Sequence, residues 1–523
     1  MMLLKKLYRI KLAQPLGLLS WLVASSLFAQ SNYSVFELRR EDNWDTLIHH
    51  DMNGDGLNDL IYSNFSPATG RELHILHQQP DGSFNSNPVR IEIKTEIIAV
   101  GFADLRADPG IELVLFAGAG VFSLSTAIAG YAGNLKPLLQ WELIASVPDL
   151  EQLQFIDSLS DINADGYIDL VLPGASSYGV FLGGPNETFS LSSVFDTSNE
   201  ELDSAQRRPQ DADMDARLGI NAEQGVVVEV TLSKPSVFSD FVEQWDVSTI
   251  AELDLLRTDT FTPSVLLTAL NADEKADVIY LNVGEDGLGQ INIHYQSPDS
   301  QFAAEPDWTG SLDTQGELQL VDVNGDGASD LVTLAGNGND WDAKMYLNQN
   351  GQFDFATPSQ VMRFSGYDVN LNFVQLSQAN KPVLSVNYYT IPVVDAIRSA
   401  SINRVQLLYG FDQTEASGIF NRRPSMRLEE SFSAANVLGL SEQMALNYDI
   451  NGDGKADAVY VTENGTLAAK SVNADLTLSD SSFWEYISPR TVFEFEVLAL
   501  NNDKLPDLIL RHGTSTSILV ARP

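Results

Sequence analysis

The chain has 523 residues, no cysteine, and 31 Lys and Arg against 71 Asp and Glu, a formal net charge of −40. That balance excludes a basic nucleic-acid-binding face. The missing cysteine excludes disulfides, thiolate metal sites, cysteine nucleophiles and lipoprotein acylation. A hydrophobic content of 44% separates the chain from disordered acidic proteins, and its length calls for a large repeat fold or several domains rather than one ordinary core.

Residues 1–29 read as a secretory signal peptide. Lys5, Lys6, Arg9 and Lys11 precede an apolar run from Pro15 to Phe28, and Ala29 is the expected last residue before cleavage, with Leu27 bulkier than usual two residues earlier. An uncleaved N-terminal anchor is the alternative. No later stretch approaches ~18 consecutive apolar residues, so no transmembrane helix is expected after cleavage. The expected location is the periplasm, the medium or the cell surface.

The stretch DMNGDGLNDL (51–60) carries Asp51, Asn53, Asp55 and Asp59 at positions 1, 3, 5 and 9 of a tight loop, with Gly54 and Gly56 for the turn, and an apolar strand follows. Oxygen side chains on alternate positions suit a hard cation such as Ca²⁺, which takes six to eight oxygen ligands; the position-7 carbonyl and water complete the set. Three further loops match at every ligand position. They supply Asp161, Asn163, Asp165 and Asp169, then Asp322, Asn324, Asp326 and Asp330, then Asp449, Asn451, Asp453 and Asp457. Three copies are degenerate: one keeps Asp104, Asp108 and Glu112 with Arg106 at position 3, and two have Ala269 or Ala499 at position 1. Losing an anionic ligand weakens such a site, and Arg106 is expected to place its guanidinium where the cation would sit. An EF-hand is the poorer reading, because position 12 is Tyr62, Leu172, Thr333 or Tyr460 and the flanks are strands.

The loops start at 51, 104, 161, 269, 322, 449 and 499, a period near 54 with two long gaps. The first gap is twice the period, so a hidden unit is expected between 161 and 269, traced by DADMDARLG (211–219) and VVVEVTL (226–232). The second gap contains FVQLSQANKPVLSV (373–386), a unit of the same shape without the acids, with an insertion at 388–403. Four short alternating strands per unit describe a β-propeller blade. The last unit is one strand short, and YSVFELRR (33–40) is expected to complete it and close the ring. The expected architecture is all-β: one domain over 30–523, eight blades with seven as the alternative, and a further insertion near 190–250.

The D-x-N-x-D-G-x-x-D loop between strands at this period resembles the FG-GAP/VCBS repeat family, which includes the propeller head of integrin α chains and exported bacterial proteins. The resemblance implies Ca²⁺ between blade strands, held by the residues of the four complete loops, and says little about chemistry.

Catalytic signatures are thin. No H-E-x-x-H, G-x-S-x-G, P-loop or dinucleotide fingerprint occurs. His49, His50, His74, His77, His294 and His512 read as packed or surface groups, so no catalytic or cofactor-binding residue is assigned. Trp44, Trp141, Trp245, Trp308, Trp341 and Trp484 read as packing groups, with stacking on sugar rings as the alternative. The expected function is a non-enzymatic exported binding or adhesion module for a protein or glycan. The alternative is a polysaccharide lyase or hydrolase on a Ca²⁺-stabilised propeller.

Overall fold

The computed structural model describes residues 33–40, 46–126, 134–143, 151–156, 159–174, 177–197, 245–246, 265–271, 273, 275–283, 288–313, 316–377, 381–391, 401–411, 419–433, 443–462, 465–503 and 505–522. The leader (1–29), Trp44 and the stretches 211–219 and 226–232 lie outside them.

Among the described residues the regular structure is all β. The strands fall into eight antiparallel sheets, the blades of a propeller. Blade 1 contains Ile48–His50, Asp59–Ser66, Gly70–Leu76 and Val89–Ile93. Blade 2 contains Ile97–Ala103, Glu112–Ala117, Gly120–Ser125 and Lys136–Gln140. Blade 3 contains Leu170–Pro173, Ser177–Gly184 and Thr188–Asp196, and its lead-in strand Gln154–Ile156 pairs in parallel with Ile97–Ala103 of blade 2. Blade 4 contains Val265–Thr268, Asp277–Val283, Leu288–His294 and Trp308–Asp313. Blade 5 contains Glu317–Val321, Asp330–Asn337, Asp340–Tyr346 and Gln360–Ser365, with Trp245–Asp246 parallel to its first strand. Blade 6 contains Tyr367–Val374, Val383–Thr390, Ser401–Tyr409 and Met426–Ser433. Blade 7 contains Ala445–Tyr448, Asp457–Val461, Thr466–Ser471 and Trp484–Ile487. Blade 8 contains Glu494–Leu498, Asp507–His512, Ser515–Ala521 and the N-terminal strand Tyr33–Leu38, which pairs with Ser515–Ala521 from Tyr33 opposite Ala521 to Leu38 opposite Thr516.

The burial pattern explains the strand chemistry. Middle strands such as Glu112–Ala117 are covered on both faces by neighbouring blades, so they read as apolar runs. Fourth strands such as Gln360–Ser365 alternate buried and exposed residues, as half-covered strands at a rim do. Eight apolar clusters each join two blades. Seven lie between blades consecutive in the chain, and the eighth joins Ile509, Ile518 and Val520 of blade 8 to Leu60, Tyr62 and Leu76 of blade 1. The ring is therefore closed. A hydrogen-bonded seam reinforces it: Ser517 Oγ donates to Glu37 Oε1 (2.8 Å), and the Arg490 guanidinium pairs with Glu37 Oε2 (2.5 Å).

One expectation fails. No blade lies between those carrying Asp161 and Ala269. Tyr178, Val180 and Phe195 of blade 3 pack directly on Val265, Val278 and Tyr280 of blade 4, and Asp196 N–H donates to Ala304 O at 3.0 Å. The double spacing is extra chain between adjacent blades, not a lost repeat. The eighth blade is blade 6, which has the repeat's strands without its acids.

In seven of the eight blades the connection between strands 1 and 2 is an acidic loop, and these loops share one face of the ring, here the loop face, with the turns between strands 3 and 4. The turns between strands 2 and 3 lie on the opposite face.

Candidate functional site

The loop starting at Asp51 is built around its own amides. Asp51 Oδ1 accepts from the N–H groups of Gly54 (2.7 Å) and Asp55 (3.1 Å), and Oδ2 from Gly56 (2.8 Å). Asn53 Oδ1 accepts from Asp55 N–H and Asp55 Oδ1 from Leu57 N–H, both at 2.9 Å. The turn needs positive φ at Gly54 (74°) and Gly56 (84°), and a Cβ on Gly54 would come within 2.4 Å of Pro109 in the neighbouring loop. The loops at Asp322 and Asp449 repeat these bonds. In the loop at Asp161, Ala164 takes the fourth position with φ 60°, and Asp161 accepts from Asp165 and Gly166.

Position 9 does something the sequence did not disclose: it clamps backbone. Asp59 accepts from Met52 N–H (3.2 Å) and Gln78 N–H (2.9 Å), tying the loop to the chain beyond strand 3. Asp169 does so with Ile162 and Gly183, and Asp330 with Val323 (2.9 Å) and Asn348 (2.7 Å). The degenerate loops keep the device: Asp277 binds Leu270 and Gln296, and Asp507 binds Leu500 and Ala521. Asp457 and Glu112 hold the near end, at Ile450 and at Leu105 and Arg106. All seven acids are buried. Burial, joined by repulsion from the loop's other aspartates, pushes Asp330 up to about 7 and Asp169 and Asp457 up to about 6. The clamp explains why a copy that has lost position 1 retains position 9.

The loops are also joined to one another. In three loops the position-8 N–H donates to a carbonyl at position 1 or 2 of the preceding loop: Ile111 to Asp51 (3.1 Å), Ala276 to Ile162 (3.4 Å) and Ser329 to Ala269 (2.9 Å). Ala456 does the same to Leu376 of the acid-free blade 6 (2.8 Å), and Asn58 carries the chain across the seam to Leu500 (2.8 Å). Pro506 holds position 8 in the last loop and has no N–H to give.

The sixteen expected ligands thus sit on one face, four to a loop, with an all-oxygen donor set of the kind Ca²⁺ accepts. Among the described residues, no three acidic or histidine side chains are drawn together as a metal-holding group. Oδ1 of Asp51, Asp322 and Asp449 already accepts two amide bonds, whereas Oδ2 of each accepts one and keeps a lone pair for a further donor or a cation.

Arg106 departs from expectation. Its guanidinium is buried but leaves its own loop. It pairs with Glu187 of blade 3 and donates to Asn134 Oδ1 and Ser123 Oγ, both at 2.7 Å. A long side chain with five donors is better satisfied by this set than by a small oxygen nest. Lys136 Nζ completes the cluster at 2.8 Å from Glu187.

The histidines are mostly packed. His74 pairs with Glu72 (2.8 Å), and His294 bonds Ala303 O (3.0 Å). His512 bonds Thr491 O and Ser517 Oγ, both at 2.8 Å. His77 was not singled out as a loop neighbour, yet its Nδ1 lies 2.8 Å from Asp59 Oδ2 and 3.3 Å from Asn53 Nδ2. Bonding to the Asp59 carboxylate holds His77 above its ordinary range.

Among the tryptophans, Trp141 packs edge-on against Phe181 and Trp308 against Phe353 and Phe355. Trp484 joins the core between blades 7 and 8. Trp341 differs: it lines an open cleft of about 820 Å³ at the opposite-face end of blade 5, together with Glu317, Asp340, Asp342, Arg363 and Phe364.

No protein-family model and no curated protein matches the sequence. Among solved structures, an Agrocybe aegerita lectin described as recognising non-reducing terminal N-acetylglucosamine aligns over 87% of this chain and 94% of its own, at 12% identity and a TM-score of 0.35. A superposition that loose carries no argument about ligand.

Proposed function

We propose that the protein is an exported, calcium-stapled β-propeller that works as a binding or adhesion module for a protein or glycan. The observation that carries this is the repeated loop: four copies share one oxygen-rich turn, each above a buried carboxylate, and main-chain hydrogen bonds tie loops of neighbouring blades together. A Ca²⁺ ion bound by Asp51, Asn53, Asp55 and Asp59, and by their equivalents, supplies the positive charge these nests lack. The cations then act as staples of the scaffold, and recognition falls to the variable surfaces between them. The likeness of the loops to FG-GAP/VCBS repeats and the basic, apolar leader support the same reading.

Calorimetric titration of chelator-treated protein with CaCl₂ tests the metal half, with heats lost on joint Asp51→Ala, Asp161→Ala, Asp322→Ala and Asp449→Ala substitution. Absence of binding sinks it. Glycan and surface-protein arrays test the recognition half. Product formation from a polysaccharide panel would overturn the non-enzymatic reading.

A further inference from the structure

We propose that the cleft at the opposite-face end of blade 5 is a binding subsite for a neutral oligosaccharide. This rests on the reading of the protein as a binding module and gives that reading a ligand class and a place. The cleft volume, about 820 Å³, lies in the range of small-ligand sites. Its aromatic wall is preset. Trp341 stands opposite Gly336 in the strand register, and a Cβ on Gly336 would come within 2.3 Å of the indole. The ring therefore lies against bare backbone, and its Nε1–H donates to Gly366 O at 3.0 Å. Fixing the ring in advance removes part of the ordering cost of binding.

The polar wall is Glu317, Asp340, Asp342, Arg363 and Ser365. Arg363 Nε lies 3.1 Å from Asp342 Oδ1, and the two side chains are 82% and 45% exposed. Such a pair contributes little to stability, but it sets a fork of donors beside carboxylate acceptors. A sugar hydroxyl is both donor and acceptor, and a pyranose also has an apolar C–H face that an indole can cover. The combination fits a polyhydroxylated ring. Three carboxylates against one guanidinium disfavour uronates, sulfated glycans and phosphates.

The test uses the mature full-length protein with CaCl₂, titrated calorimetrically with neutral cello-, malto-, manno-, xylo- and chito-oligosaccharides and with oligogalacturonate. The expected result is binding of at least one neutral series and not of the uronate. Affinity falls on the order of tenfold in Trp341→Ala and is largely kept in Trp341→Phe. Because Trp341 also packs on the core of blades 5 and 6, the exposed Asp342→Asn variant supplies a second readout, a several-fold loss with an unchanged melting point. Preference for the uronate, or for a lysine- and arginine-rich peptide, overturns the proposal. Silence from every neutral series also overturns it. Sugar binding that survives both Trp341→Ala and Asp342→Asn refutes the cleft while leaving the binding-module reading intact.

Discussion

Asp330 offers a direct check on the buried position-9 acids. It is fully buried, bonds the amides of Val323 and Asn348, and burial pushes it from 3.8 up to about 7. An acid with a raised folded-state pKa keeps a proton that the unfolded chain has released, so its contribution is greatest below the unfolded value and is lost as pH rises through about 7. Between pH 5 and pH 8 that loss amounts to roughly 2 to 3 kcal/mol. Replacement by Asn removes the titration at nearly constant shape and sacrifices one amide bond at every pH. The assay is urea unfolding of wild type and Asp330→Asn in chelator across that range. Wild type should lose roughly 2 to 3 kcal/mol more than the variant, and CaCl₂ at pH 8 should stabilise wild type more than Asp330→Asn, which keeps only the other three complete loops. A stability difference that does not change with pH would refute the idea that a buried, under-compensated charge sits at this position.

Three other outcomes follow from named contacts. Arg106→Met leaves Glu187 buried with only Lys136 as its cationic partner and should cost about 3 kcal/mol, read as a lower melting temperature that Arg106→Lys only partly recovers. Gly110→Ala, at φ 92° and with a Cβ placed 2.3 Å from Met52 O, should destabilise by roughly 2 kcal/mol or more and weaken cation binding at the Asp51 loop. Removing residues up to Leu38 takes the outer strand from blade 8 and exposes the edge of Ser515–Ala521, so gel filtration should show association or aggregation in place of the intact ring's elution.

Much of the architecture was legible because the blade is a local object. The acidic loop marks the turn between strands 1 and 2, the apolar runs mark strands covered on both faces, and the missing last strand pointed to 33–40. The hidden blade between 161 and 269 was misplaced because spacing records chain length and not contact. The packing of Tyr178 and Phe195 on Val265 and Tyr280, with the Asp196–Ala304 hydrogen bond, shows that the two blades touch. The site was legible in composition and less so in role. Asp59, Asp169, Asp330 and Asp457 occupy ligand positions, but their amide partners lie up to 19 residues away, at Gln78, Gly183 and Asn348. No short motif encodes that distance. Arg106 was read against its own loop because a sequence does not show that Glu187, 81 residues later, faces it across a blade interface. Trp341 became distinct from the packing tryptophans only through Gly336, which is unremarkable in the chain and decisive in the register.

The pairing of Tyr33 with Ala521 has a consequence for how the protein sits among its neighbours. Strand 3 of a blade runs toward the loop face, so Tyr33 and Ala521 lie side by side at that face. A tether or fused partner at either end would shade the acidic loops and leave the other side of the disc, with the Trp341 cleft, turned outward. Pulling on both ends at once would peel Tyr33–Leu38 from its neighbour one hydrogen bond at a time. Pulling on one end would load the whole closed ring.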